Sequence, residues 1–180
     1  MPEKKLSSRI VHNGHLRLKI DTVLLPDGTK SSREVVEHPE VVAIVAVDDK
    51  DNALMVTQFR YALGKDLLEI PAGGIDGNET PEDAVRREMQ EETGFLPKKI
   101  VRLGGFYSAP GFTDEYLYLY LATGLVPSRL YAEDTDGIKL ERIPVKDIPA
   151  LVTSGRIQDA KSLAGLLTYL EYRKKHKKKE

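Results

Sequence analysis

The sequence predicts an α+β domain with many strands and few helices. Three observations carry that prediction. VVAIVAV (41–47) is a continuous, β-branched apolar run, too short for most helices, and reads as a buried strand. Alternating apolar and polar residues recur in segments bounded by turn formers. Helical periodicity is confined to 81–92 and roughly 158–173, with a short additional helix suggested by VKDIPALVTSG and ended by Gly155.

In chain order, residues 8–36 read as strands joined at HNG (12–14) and PDG (26–28), with HLRLKIDTVLL alternating as a half-buried strand does. After 41–47, DDKDN turns the chain into the strand ALMVTQFRY (53–61). LLEIP (67–71) is a short strand closed by proline. KIVRLGGFYS, DEYLYLYLAT and IKLERIPV (138–145) supply three more. No repeat or linker interrupts the pattern. A single domain is expected over 1–180, with an N-terminal antiparallel β region to about 38, a core over 39–172 and a basic tail, 173–180.

Composition narrows the function. The 180 residues are 41% hydrophobic and 31% charged, an ordinary globular balance. The net charge of −1 provides no basic field for nucleic acid. Without cysteine there is no disulfide, thiolate metal site or cysteine nucleophile. MPEKKLSSRI lacks an apolar signal core, and no apolar run approaches the roughly 20 residues a membrane span needs. The expectation is a cytoplasmic protein with neither nucleic-acid nor membrane partners.

The most informative stretch is AGGIDGNETPEDAVRREMQEETGF (72–95). Thr80 is placed to cap a helix, Pro81 suits its first position, Asp83 can complete a capping box, and Gly94 suits its end. Glu88, Glu91 and Glu92 then fall on one face at i, i+3 and i+4, where like charges repel. Ala84, Val85 and Met89 form a neighbouring apolar strip. The plain reading of such a run is a solvated charged helix, with Arg86 and Arg87 as internal partners. Carboxylates on one patch behind a glycine-rich loop also suit a hard cation, and the carbonyl of Ala72, at a strand end, is placed to join them.

Gly73, Glu79 and the run Arg87-Glu88-Met89-Gln90-Glu91-Glu92-Thr93-Gly94-Phe95 resemble the Nudix box at every fixed position. The resemblance implies an α/β/α sandwich around a mixed sheet, and hydrolysis of a nucleoside diphosphate linked to another moiety, with Mg²⁺ or Mn²⁺ as cofactor. It makes Glu88, Glu91 and Glu92 metal ligands, Glu91 and Glu92 also candidates for the chemistry, and Glu79 and Arg87 a charge pair holding the loop and helix together, with Gly73 and Gly94 as structural positions.

Outside the box the chain resembles the ADP-ribose pyrophosphatase branch of that family, from about residue 8 to 172. Pro110 lies sixteen residues after Gly94, where that branch carries proline. Arg33 and Arg60 match its substrate contacts, and guanidinium groups suit diphosphate or adenine. Glu115 matches a residue on the terminal ribose. In the loop LYAEDTDGIKLERI (130–143), one alignment makes Asp134 the general base and Asp136 a metal ligand; a shift of one makes Glu133 the base. The branch implies a homodimer, with N-terminal strands crossing to the partner and Arg33 reaching the partner's site. The rival readings are a Nudix enzyme for another substrate, such as GDP-mannose, a dinucleoside polyphosphate or an oxidised nucleoside triphosphate, and a non-catalytic nucleotide-binding module.

Overall fold

The structure is a computed structural model describing residues 2–132 and 135–177. The chain divides into two compact units, one of Met1–Glu40 with Tyr107–Tyr116, the other of Val41–Phe106 with Leu117–Glu180.

The first unit carries an antiparallel three-stranded sheet, β1 (Lys4–Asn13), β2 (Arg17–Leu24) and β3 (Lys30–Glu37), in the order β1-β2-β3. Its alternation is that of a sheet with one better-covered face: Asp21 and Val23 of β2 are buried while their neighbours are partly open. All ten residues of β1 are exposed. The 107–116 segment is fixed to this sheet through Val36 N–H donating to the Phe112 carbonyl at 2.8 Å and His38 N–H donating to Asp114 at 2.9 Å.

The second unit is a sandwich around a seven-stranded mixed sheet. Its strands are β4 (Val41–Val47), β5 (Asn52–Arg60), β6 (Lys65–Glu69), β7 (Ala72–Gly74), β8 (Phe95–Tyr107), β9 (Tyr116–Pro127) and β10 (Lys139–Pro144). The main order is β10-β5-β4-β9-β8, with β6 paired to β5 and β7 to β4. β4 runs parallel to β9 and antiparallel to β5 and β7. Every residue of β4 is buried, as the unbroken apolar run requires of a strand covered on both faces.

The period of two decides what lies on each face. Val41, Ala43, Val45 and Val47 share a core with Ile148 of α2 (Ile148–Thr153) and Leu166 and Tyr169 of α3 (Ala160–Lys177). Val42, Ile44 and Ala46 share one with Ala84 and Val85 of α1 (Pro81–Glu88) and with Met89 beyond it. These are the residues expected to form the apolar strip of the acidic helix. β7 is three residues long and pairs with the first half of β4, which delivers the glycine loop to the start of α1.

Two helix boundaries differ from expectation. The acidic helix is α-helical only through Glu88; Met89–Thr93 is a π turn closed by Gly94 in the left-handed region, at φ 79°. The wider turn is held from outside its own ladder, since Leu130 N–H reaches the Gln90 carbonyl at 3.3 Å and Ser128 N–H the Gly94 carbonyl at 2.9 Å. At the other end of the chain α3 continues to Lys177, so residues 173–177 are helical rather than a tail beyond the helix. Arg173 makes a two-pronged ion pair with Asp51, which anchors the last turns of α3.

Candidate active site

The site grows from the glycine loop and the acidic helix. Thr80 caps α1 by accepting from the Asp83 N–H at 3.2 Å, and its hydroxyl donates to the Asp83 carboxylate at 2.6 Å; Pro81 occupies the first turn. This sets the helix axis. The loop is then fastened by Arg87, whose Nε and Nη2 donate to the two oxygens of Glu79 at 3.1 and 2.9 Å, while Nη2 also donates to the Gly74 carbonyl at 2.8 Å. Glu79 itself accepts from the Asp76 N–H at 3.2 Å. One guanidinium thus joins strand, loop and helix in the bidentate geometry that suits it best. The Arg87 hydrogen bonds hold Glu79 below the usual carboxylate range, and the acids around Arg87 push its guanidinium further up.

The three glutamates have distinct environments. Arg87 Nη1 donates to Glu88 at 2.6 Å and to Glu91 at 3.1 Å, so one cation offsets the repulsion between them. Glu88 lies directly against Gly73, where any Cβ would overlap its carboxylate. Glu92, carried round by the π turn, faces β7 instead and accepts from the Ala72 N–H at 3.0 Å. Only 8% of Glu92 is exposed, and among the described residues its second oxygen has no hydrogen-bond donor. Burial, then the charge of Glu88, pushes its carboxyl up to about 8, against the opposing pull of the Ala72 N–H.

This donor set fits a divalent cation. It offers hard carboxylate oxygens, a glycine whose missing side chain admits Glu88, and a buried carboxylate with an open valence beside like charge, which a cation relieves. Among the described residues no three acidic or histidine side chains are gathered closely enough to hold a metal ion, so the expected convergence of Glu88, Glu91 and Glu92 on one patch is not seen; Glu88 and Glu91 share Arg87 and Glu92 faces β7.

The residues matched outside the box are placed as follows. Arg60, at the end of β5, donates through Nε and Nη2 to the two oxygens of Glu69 at 2.8 and 2.5 Å. Arg33, on β3, donates to Glu3 at 3.0 and 2.5 Å, to Ser31 Oγ at 3.1 Å and to the Ser32 carbonyl at 2.8 Å, all within the first unit. Pro110 is exposed, and Glu115 stands 3.6 Å from His38 Nε2, both in the first unit. Asp136 is exposed in the turn before Gly137, with no hydrogen bond or ion pair to the box among the described residues. Glu133 and Asp134 lie outside the described residues.

Sequence reasoning missed a buried polar cluster beside Glu92. Glu69 is 1% exposed and takes Lys161 as well as Arg60. Asp159 accepts from Lys161, from Ser162 N–H and from Ser162 Oγ, capping α3; the Ser162 oxygen accepts from Ile70 N–H at 2.8 Å. Burial alone would raise the Glu69 and Asp159 carboxyls, but their cations and donors outweigh it and hold both below the usual range. The available signal was an acid inside the apolar run LLEIP, whose neighbours Leu68 and Ile70 are both buried. A separate cavity of about 470 Å³, lined by Asp48, Lys50, Leu54, Phe95, Leu125 and Arg142, contains none of the three glutamates. The placement of the carboxylates decides the site here, and volume does not.

The chain resembles known proteins along most of its length. The NUDIX domain model matches residues 37–166. The chain is 35% identical over 174 residues to the ADP-ribose pyrophosphatase of Bacillus subtilis (strain 168), covering 95% of this chain and 94% of that protein. It is 33% identical over 180 residues to the methanol dehydrogenase activator of Bacillus methanolicus, covering 97% of each. A crystal structure of an ADP compounds hydrolase superposes with a TM-score of 0.90 at 20% identity, covering 98% of this chain and 96% of that one, which is a likeness of fold. No helix among the described residues is long and apolar enough to cross a membrane. The domain match and the similarity along the chain place it in the Nudix family: it is a divalent-metal-dependent Nudix hydrolase.

Proposed function

We propose that this enzyme hydrolyses ADP-ribose to AMP and ribose 5-phosphate, with Mg²⁺ as its metal. The observation that carries the reading is the intact carboxylate site, with Glu92 buried and open on one oxygen, in a chain similar end to end to the ADP-ribose pyrophosphatase of Bacillus subtilis. Glu88, Glu91, Glu92 and the Ala72 carbonyl would hold the metal. When bound, it neutralises diphosphate charge and makes water a better nucleophile. The protein groups do the rest. Arg87 keeps Glu88 and Glu91 oriented, Gly73 leaves room for Glu88, and the Ala72 N–H aims Glu92. The water oxygen bonds to one phosphorus as the bridging P–O bond breaks. Its proton goes to a loop acid, Asp134 or, one place earlier, Glu133, and Asp136 is assigned as a further metal ligand. Arg60, Arg33, Pro110 and Glu115 are assigned to substrate contacts on the strength of the family match.

Product analysis tests the substrate. Purified protein with Mg²⁺ is given ADP-ribose, GDP-mannose, a dinucleoside polyphosphate or an oxidised deoxyguanosine triphosphate in separate reactions. Rapid AMP and ribose 5-phosphate from ADP-ribose, with the others slow, is the expected result. Preference for another compound keeps the chemistry and replaces the substrate. Tight binding without any product would favour the binding-module reading.

We also propose a cytoplasmic homodimer acting on small nucleotides, without nucleic-acid or membrane partners. A ten-residue strand open along its whole length, with Leu6, Ile10 and Val11 all more than two-fifths exposed, is a surface that soluble chains cover. Light scattering at micromolar concentration is expected to give twice the 20.1 kDa chain mass. A monomer there would remove the dimer and with it any shared site.

A further inference from the structure

We propose that Glu69 is a positioning residue of the hydrolytic site: its buried carboxylate pins Arg60 and Lys161 in place and so keeps both cations from closing on Glu92, leaving that carboxylate for metal. The inference rests on the metal reading of Glu92 and adds to it a residue that neither the box nor the family match assigns.

The geometry is specific. Glu69 receives Arg60 side-on through Nε and Nη2, and Lys161 joins the same carboxylate from the start of α3. Lys161 is also held by Asp159 at 3.0 Å. Two acids and two cations therefore balance in one cluster, of which Glu69 is the innermost member. Glu92 is their neighbour: Arg60 feels the charges of Glu69, Glu92 and Asp159, and Glu92 in turn feels both Lys161 and Arg60. Neither cation is ion-paired to Glu92 among the described residues.

The alternatives open to each group decide the outcome if Glu69 loses its charge. The Arg60 side chain is 39% exposed and has room to swing, and a cation that loses its acceptors turns to the uncompensated carboxylate within its electrostatic reach. Lys161 retains Asp159. Arg60 loses both of its acceptors, and Glu92, whose charge it already feels, has an oxygen without a donor among the described residues. A guanidinium there would take the lone pairs that a divalent cation needs. An amide in place of Glu69 makes this worse, since its NH₂ faces a cation. Glu69 thus protects the metal site by satisfying the positive charge next to it, and Lys161 shares the load from α3.

The test is direct Mn²⁺ binding to the full chain, read as free Mn²⁺ by electron paramagnetic resonance without substrate. Glu69→Gln is expected to weaken binding by about tenfold or more, the scale of lost outer-shell partners. Glu69→Gln combined with Arg60→Met removes the freed cation and is expected to bring affinity back to near that of the unchanged chain. Wild-type affinity in Glu69→Gln overturns the proposal, as does a double variant no better than the single one. Should Glu69→Gln not fold, Glu69→Asp carries the test. It keeps the charge but is one methylene short of spanning both cations, so weaker binding is expected and unchanged binding overturns the proposal. Glu92→Gln in the same series separates the two readings: if it binds Mn²⁺ normally, the metal role of Glu92 fails whatever Glu69 does.

Discussion

Glu92→Gln is expected to lower turnover by about three orders of magnitude and, at the same time, to make the metal-free protein more stable, because a charge that serves catalysis is a burden on the empty fold. Glu92 is buried beside Glu88, and its carboxyl is pushed up to about 8. A folded-state value above the ordinary one means that the protonated form is favoured by folding. The stability this provides is complete below the usual carboxylate range and is lost as pH rises through about 8. Glutamine cannot ionise, and its oxygen still accepts the Ala72 N–H. In chelator the variant should therefore melt higher than the unchanged chain, with a gap near zero at pH 4 to 5 that widens to about 1–3 kcal/mol by pH 8. Adding Mg²⁺ should reverse the order, since a ligand stabilises only the form that binds it. Thermal melts at two pH values, with and without Mg²⁺, check both halves. A variant with near-normal turnover, or with no pH-dependent gain, would remove Glu92 from this role.

Gly73→Ala is expected to be nearly as damaging to activity while costing little in stability. The new Cβ would overlap the Glu88 carboxylate, the far end of a flexible side chain rather than backbone. The side chain can swing away, so the fold should lose about 1 kcal/mol, as for mild overpacking. The position of Glu88 cannot be kept. A ligand displaced by a methyl group leaves the metal under-coordinated, and activity should fall by about a hundredfold. Raising Mg²⁺ should recover part of that loss in Gly73→Ala and almost none in Glu92→Gln. Steady-state rates across a Mg²⁺ titration distinguish the two. A large drop in melting temperature for Gly73→Ala would place the cost in the loop backbone instead.

Local chemistry made much of this molecule legible in sequence. The buried strand 41–47 needed only its unbroken apolar run, the cap at Thr80 its neighbours Pro81 and Asp83, and the Glu79–Arg87 pair the fixed spacing of a known motif. Features settled by contacts distant in sequence were hidden. The π turn at Met89–Thr93 is held partly by residues 128–130, some forty places on, so helical spacing alone put Glu91 and Glu92 on a regular face that they do not share. Arg60 could be matched to a substrate contact, but Glu69, Lys161 and Asp159 meet only because α3 returns to β6 across roughly ninety residues. The end of α3 was placed too early for the same reason, since its anchor, Asp51, lies 122 residues before Arg173.

The π turn makes the acidic helix a device for setting phase. A helix perfected for its own ladder would send residues 91 and 92 onward in step with Glu88, and all three acids would meet the same arginine. The wider turn breaks step after Glu88. Glu91 stays with Arg87 while Glu92 is sent to the strand behind, where its environment is dry and its charge is felt. One irregular turn thus separates identical side chains into a pair neutralised by one arginine and a single carboxylate with no ion pair of its own among the described residues. Chemical difference is obtained from repetition of one residue type, by a change of pitch rather than a change of alphabet.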